Sequence, residues 1–300
     1  MKKINVLVIG NIFESKSLIV RDFCECDNEV VAEKIFSRFS GAAIVVSAIA
    51  AFLYTNATII TKAKKSQEFC ELISKLSELG VDTTQIDYSS KESNTLITIY
   101  NLSQDRKCYS FLPAQIKEDD LINIDYSIYD AVFFCCLPYN IVNNIFIGNM
   151  TISHTQSVIL ASGMTSEYFA QQKLMVPANY VFCNRGELLN VLGEKRNTNK
   201  ERLKVQIGKI SAGNTILVIT MGKDGVVVVD GETIHKVTVA EIKNVIHPGG
   251  AGDAFATGFI CGKLKGMDVD QCCSLGYQCA KQMLSVSSVV EFVERILKER

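Results

Sequence analysis

The sequence predicts an α/β domain whose mainly parallel central sheet is covered by helices on both faces. Three observations carry that prediction. Apolar, β-branched runs bounded by polar turns recur along the chain, and helical patterns separate most of them. Strands alternating with helices pack as a parallel sheet, because each crossover needs a helix to return the chain. With 300 residues and 48% hydrophobic content, the chain is long and apolar enough to bury a sizeable core.

The elements follow in chain order. "INVLVIG" (residues 4–10) reads as a first buried strand. The lysines ahead of it imitate a signal peptide, but the apolar run stops after a few residues and no small-residue cleavage site follows. "GAAIVVSAIAAFLY" (41–54) is the most apolar stretch, yet it is short of the ~20 residues a membrane span requires. It reads as a buried helix. After the strand "ATIIT" (57–61), the stretch "SQEFCELISKLSELG" puts Phe69, Leu72, Ile73, Leu76 and Leu79 on one helical face, with Ser66 as N-cap and Gly80 as the stop. "DAVFFCC", "SVILASG", "YVFCN", "TILVITMG" and "GVVVVDG" supply the later strands.

Two segments break the rhythm. Residues 15–39 and 91–113 are more polar, and "NTLITIYNLSQDRKCYSF" reads as two strands around a turn near Ser103 to Asp105. They suit a small sheet inserted as a lid. No repeat, low-complexity tract or linker divides the chain, so residues 1–300 are expected to form a single domain with that appendage.

Composition excludes several classes of function. A formal net charge of -1 provides no basic field for nucleic acid or anionic lipid, which leaves a small molecule as the expected partner. The 11 cysteines lie largely in apolar runs of a chain too large for a disulfide-stapled fold, and read as reduced thiols of a cytoplasmic protein. Cys24-x-Cys26 lacks a second pair at zinc spacing, and the 3 histidines form no pair.

The chemistry concentrates in "HPGGAGDAFATGF" (247–259). A Walker motif is absent, and "GNIFES" follows the first strand where a dinucleotide fingerprint would stand. Glycines at Gly249 to Gly252 let backbone N–H groups approach an anion at a helix start, and Asp253 beside them is suited to accept a proton from a hydroxyl. Phosphoryl transfer needs both elements. The bland alternative is a glycine-rich connection in which Asp253 only caps the helix.

"GGAGDAFATGF" resembles the C-terminal signature D-T-x-G-A-G-D of the ribokinase-like (PfkB) carbohydrate kinases. Three further segments are similar to that family's motifs and come in its order: "SGAAIVVSAIAAFL" to the N-terminal G-G segment, "NRGE" to N-x-x-E, and "ITMGKDGVVVVDG" to the T-x-G-x-x-G strand and hairpin. The resemblance spans nearly the whole chain. It implies a ribokinase-like three-layer α/β/α fold with a small β lid, and an ATP- and Mg2+-dependent kinase acting on a hydroxyl of a sugar, sugar phosphate or nucleoside. Asp253 matches the general base; Gly250, Ala251 and Gly252 match the anion hole. Asn184 and Glu187 match the pair that organises Mg2+ through water, although an Asn and a Glu three apart also suit a helix cap. Thr220 and Gly222 match the strand end beside the nucleotide phosphates, and Gly225 the hairpin near the adenine; ordinary turn roles are the alternative.

The acceptor end departs from the family pattern. Asn11, Ser15, Gly41 and Ala42 fall at the substrate positions, but Ser15 stands where a clamping Asp is usual and Ile44 near the usual Asn. His247 and Pro248 replace Asp-Thr in a loop that often holds a potassium-type ion, which leaves monovalent-cation activation open. These departures predict a larger or less polar acceptor, with Asn11 and Glu14 as substitutes for the clamp. Cys279 falls near the adenine side without an assignable role. The lid resemblance also implies a homodimer. The competing class is a non-catalytic relic of the same fold that binds nucleotide or sugar in a regulatory or assembly role.

Overall fold

In the computed structural model, β1 (Asn5–Gly10) lies inside a sheet and shares its side chains between two cores. Val6 and Val8 point to one and Leu7 and Ile9 to the other, all fully buried. That is the period-two alternation of a strand covered on both faces. The structure describes residues 3–23, 29–102, 106–148, 155–160, 178–192, 215–240, 242, 245–246 and 249–300.

Among the described residues the main sheet has nine strands in the order β13-β12-β11-β10-β9-β8-β1-β4-β5. These are β4 (Asn56–Lys64), β5 (Ile86–Ser90), β8 (Ala131–Cys135), β9 (Gln156–Leu160), β10 (Tyr180–Asn184), β11 (Ile216–Thr220), β12 (Val226–Asp230) and β13 (Thr233–Val237), beside β1. The pairs from β11 across to β5 are parallel, and β12 and β13 close the edge as an antiparallel hairpin. The chain runs outward from β1 through β4 to β5, then restarts at β8 on the other side of β1. This reversal opens a crevice at the carboxyl ends of the strands.

The apolar stretch at 41–54 forms helix α1 (Ala42–Phe52), buried from Ala42 to Ala51. Its start presses against the residues that follow β1. Gly41 has φ +136°, and a Cβ there would stand 2.6 Å from the Asn11 carbonyl oxygen. The crossover helix α2 (Gln67–Glu78) begins as expected, with the Ser66 hydroxyl accepting from Phe69 N at 3.2 Å, and ends before Gly80 at φ +90°. Helices α3 (Tyr139–Gly148) and α4 (Arg185–Leu192) follow β8 and β10. Then come α5 (Ala251–Leu264), α6 (Val269–Leu284) and α7 (Val289–Glu299). In α5 and α6 two glycines allow the axes to approach, since a Cβ on Gly258 would lie 2.8 Å from Gly276 Cα.

The lid is a separate four-stranded sheet in the order β3-β2-β6-β7, built from β2 (Phe13–Ile19), β3 (Lys34–Ser40), β6 (Thr95–Tyr100) and β7 (Arg106–Phe111). Its strands fall on the two polar segments that the sequence marks as insertions; the turn at Ser103 to Asp105 lies outside the described residues. Asn94 ties the lid base together. Its side-chain amide donates to the carbonyls of Ile12 and Ala114, and its oxygen accepts from Ala114 N at 2.9 Å.

The nine described cysteines are free thiols, while Cys24 and Cys26 lie outside the described residues. Burial pushes the Cys261 and Cys279 thiols up to about 12, so they pack as small apolar groups. Among the described residues no group of three His, Cys, Asp or Glu could hold a metal, and no helix is long and apolar enough to cross a membrane.

Candidate active site

The carboxyl ends of the parallel strands deliver Cys136, Leu160, Asn184 and Thr220 to one wall of a cleft of about 510 Å3. The lid forms the opposite wall. Strand alternation and the pairing of Ser15 with Arg38 and Leu96 turn one lid face inward, and that face brings Phe13, Ser15, Ser17, Arg38, Ser40, Leu96, Thr98, Tyr100 and Cys108 to the cleft. The start of α5 closes the end between these walls with Gly249, Gly250, Gly252 and Asp253.

That helix start leaves its first amides open to the cleft. Gly250 precedes α5 with φ +81°, a left-handed conformation that favours glycine, and no side chain caps the helix. The amides of Ala251 and Gly252 therefore have no acceptor within the helix, and the helix dipole adds positive potential there. A Cβ on Gly252 would meet nothing within 4 Å, so the space before these amides is open. Asp253 sits in the same turn at intermediate exposure. Its carboxylate is felt by the buried Cys135, whose thiol is held well above its ordinary range by desolvation first, then by Cys136 and Asp253.

Asn184 and Glu187 form a reciprocal cap at the start of α4. Asn184 Oδ1 accepts from Glu187 N at 3.0 Å, and Glu187 Oε2 accepts from Asn184 N at 2.8 Å. Both also line the cleft, so capping holds two oxygen-bearing side chains in place on its wall. Thr220 stands at the next strand end, its hydroxyl 3.5 Å from the Cys183 carbonyl.

A second cavity of about 330 Å3 adjoins the first through Thr220, Gly222 and Gly252, which line both. Its walls are largely apolar, including Val226, Val239, Ile242, Val245, Phe255 and Ala280. Gly225 and Ala251 belong to it. Gly225 has φ +90°, and a Cβ there would stand 2.2 Å from the Val237 carbonyl oxygen, so the hairpin accepts only glycine without moving. Tyr277, Ala280 and Leu284 represent α6 in this cavity; Cys279 instead packs against α5, its Sγ 2.9 Å from where a Gly258 Cβ would be.

The structure thus gathers Asp253, Gly250, Gly252, Asn184, Glu187, Thr220, Gly222, Ser15, Gly41 and Ala42 around one cleft, with Ala251 and Gly225 in the adjoining cavity. Asn11 does not line either. It is 2% exposed, and its Oδ1 accepts from Ile116 N at 3.3 Å, a contact that draws the side chain toward the connection after the lid. Glu14 is exposed and bonded to Ser93, because it occupies the opposite parity of β2 from Ser15. Ile44 is fully buried in α1, and Val45 lines the cleft in its place. His247 and Pro248 lie outside the described residues.

The inner lid face carries more hydroxyls than Ser15 alone, and apolar Phe13, Val45, Leu96 and Leu160 line the cleft beside them. Ser15 is one of several polar side chains on the inner lid face, with Ser17, Ser40, Thr98 and Arg38 alongside. Sequence reading missed them because each is an isolated polar residue until the register aligns it with the others. A period-two pattern in "FESKSLI" and "TLITIY" was the available signal.

The cleft lies at the switch point of an open α/β sheet, with an uncapped helix start at its end, where proteins of this class commonly place a ligand site. The chain matches the description pfkB family carbohydrate kinase over residues 5–295, and it belongs to that family. It is 29% identical over 139 residues to the adenosine kinase of Schizosaccharomyces pombe, a match covering 43% of this chain and 41% of that one. It is 34% identical over 106 residues to the cytidine kinase of Thermococcus kodakarensis, covering 35% and 36%. The chain therefore spans about two fifths or less of the length of these curated relatives. The fold is ribokinase-like. The ribokinase of Cryptococcus neoformans var. grubii serotype A in complex with ADP superposes with a TM-score of 0.82 over 99% of this chain and 100% of that one, at 14% identity.

Proposed function

We propose that this chain transfers the terminal phosphoryl group of ATP to a hydroxyl of a small acceptor, a sugar, sugar phosphate or nucleoside. The observation that carries this reading is the meeting of an uncapped helix start and a carboxylate, Gly250 to Asp253, where two cavities join. The apolar second cavity suits an adenine base, and the cleft suits phosphates and acceptor. Asp253 takes the proton from the attacking hydroxyl as its oxygen bonds to phosphorus and the bond to the ADP oxygen breaks. The amides of Ala251 and Gly252 hold the charge developing on the transferring group. The lid covers the acceptor and excludes water, which would otherwise compete for the phosphoryl group.

Asn184 and Glu187 suit a hard cation, since each offers an oxygen ligand on the cleft wall beside Thr220. Oxygens already engaged in capping favour contact through water. Mg2+ bound there supplies positive charge to the nucleotide phosphates. Glu187→Gln keeps size and a capping oxygen but removes the charge, so the magnesium dependence of turnover is expected to move to higher concentration with Tm nearly unchanged. An unaltered magnesium curve assigns Glu187 to capping alone.

The test of the function as a whole is acceptor-dependent ADP formation, screened over sugars, sugar phosphates and nucleosides. An ATP-consuming enzyme with free thiols fits the reducing cytoplasm. We also assign a second copy of the chain to the outer lid face, where Ile35, Tyr109 and Phe111 are 63%, 58% and 61% exposed on the side away from the cleft. Sedimentation velocity is expected to give a dimer that Phe111→Glu converts to monomer; a monomer in the unaltered protein removes this assignment.

A further inference from the structure

Among the described residues, four buried side-chain nitrogen or oxygen atoms have no hydrogen-bond partner: Asn11 Nδ2, Arg38 Nε, Ser40 Oγ and Thr61 Oγ1. Two of them, Arg38 Nε and Ser40 Oγ, lie two residues apart on β3 and line the cleft. Buried polar groups are ordinarily paired, so two unpaired groups on one wall leave room for a partner; of the half-buried Arg38 side chain it is Nε that is buried without one. The guanidinium of Arg38 lies 5.5 Å from the Phe36 ring centroid, and no carboxylate lies within 4 Å of it among the described residues. Burial lowers its pKa, with Tyr100 opposing, but an arginine remains charged.

The two ends of the cleft therefore differ in sign. Asp253 and Glu187 stand at the strand-end and helix wall, whereas the lid wall carries Arg38 among the hydroxyls of Ser15, Ser17, Ser40 and Thr98. A neutral sugar or nucleoside pairs the hydroxyls but leaves the charge unmatched. A planar guanidinium with an unused Nε matches two oxygens of one oxyanion. Resting on the phosphotransferase reading above, we infer that the acceptor itself carries an oxyanion, a phosphate or a carboxylate, which Arg38 binds at the end remote from the hydroxyl that reacts. Arg38 is then the residue that selects anionic over neutral acceptors.

Binding can be read without turnover. Full-length unaltered protein, without ATP, is titrated calorimetrically with ribose 5-phosphate against ribose, and with gluconate against glucose, inorganic phosphate serving as the control for a bare anion. At least one anionic probe is expected to bind about 10-fold or more tightly than its neutral counterpart, the scale of a charge-assisted pair. Arg38→Gln should cost the anionic probes far more affinity than their neutral counterparts and so abolish that preference, while Arg38→Lys restores part of it. Equal affinity within both pairs, or an Arg38→Gln loss shared by neutral and anionic probes, overturns the inference. So does phosphate alone binding as tightly as the sugar phosphate. Anion preference in a protein that turns over no acceptor preserves the role of Arg38 and rejects the kinase reading. Efficient transfer to a neutral acceptor, insensitive to Arg38→Gln, does the reverse.

Discussion

Replacing Asp253 by asparagine is expected to lower turnover by about 10²-fold or more while ATP affinity and Tm stay close to those of the unaltered protein. The substitution is nearly isosteric, so the first turn of α5 keeps its shape and its amides keep facing the cleft. What disappears is the ability to take a proton. The backbone oxygen of residue 253 still accepts from the Thr257 hydroxyl, now 2.7 Å away, so the helix retains its local bonding. Steady-state rates with a saturating acceptor, beside a nucleotide titration, separate the two effects. Turnover equal to that of the unaltered protein returns Asp253 to the role of a helix-start acid.

Gly276→Ala is expected to lower Tm by several degrees and raise the KM for ATP. An added Cβ on α6 would lie 2.7 Å from the Phe255 carbonyl oxygen and 2.9 Å from two atoms of its ring. Backbone cannot yield as a flexible side chain does, and overpacking of this kind costs roughly 1–3 kcal/mol. Alanine recovers only about 0.5–1 kcal/mol through its better helix propensity, so the clash wins. Phe255 belongs to the first turns of α5 and lines the second cavity, which couples the displacement to the nucleotide end of the site. A Tm that rises by the propensity gain, with unchanged KM, shows that α6 moves away freely.

The parts of this molecule that were legible in the sequence are those whose signals are local. The buried strand at 5–10, the helix capped by Ser66 and the glycine-rich helix start before Asp253 each declare themselves within a dozen residues. The split of residues 91–113 into two lid strands was likewise readable from alternation around a polar turn. What stayed hidden depends on pairing between distant segments. Arg38 enters the cleft only because β3 pairs with β2 in the register that sets it opposite Ser15. A shift of one residue would have turned it to the outer face. Gly258 and Gly276 look like weak points of two helices until the helices cross there. The position of Asn11 is of this kind, since its oxygen accepts from Ile116 N, 105 residues further along the chain. Ser17, Ser40 and Thr98 stayed hidden for a related reason, since each is a single position in the sequence and they meet only as one face of the lid.

The step proposed for Asp253 and the amides before it is the passage of a phosphoryl group onto an acceptor hydroxyl. Phosphorus-31 NMR of a mixture of protein, ATP, magnesium and the acceptor selected by screening follows the transferred group itself. A phosphate ester of that acceptor is expected to grow in step with ADP, with little orthophosphate, and Asp253→Asn to slow it by about 10²-fold or more. ATP that binds and stays intact with every acceptor, or is released only as ADP and orthophosphate at a rate indifferent to the acceptor, would contradict it and leave a nucleotide-binding relic of the same fold.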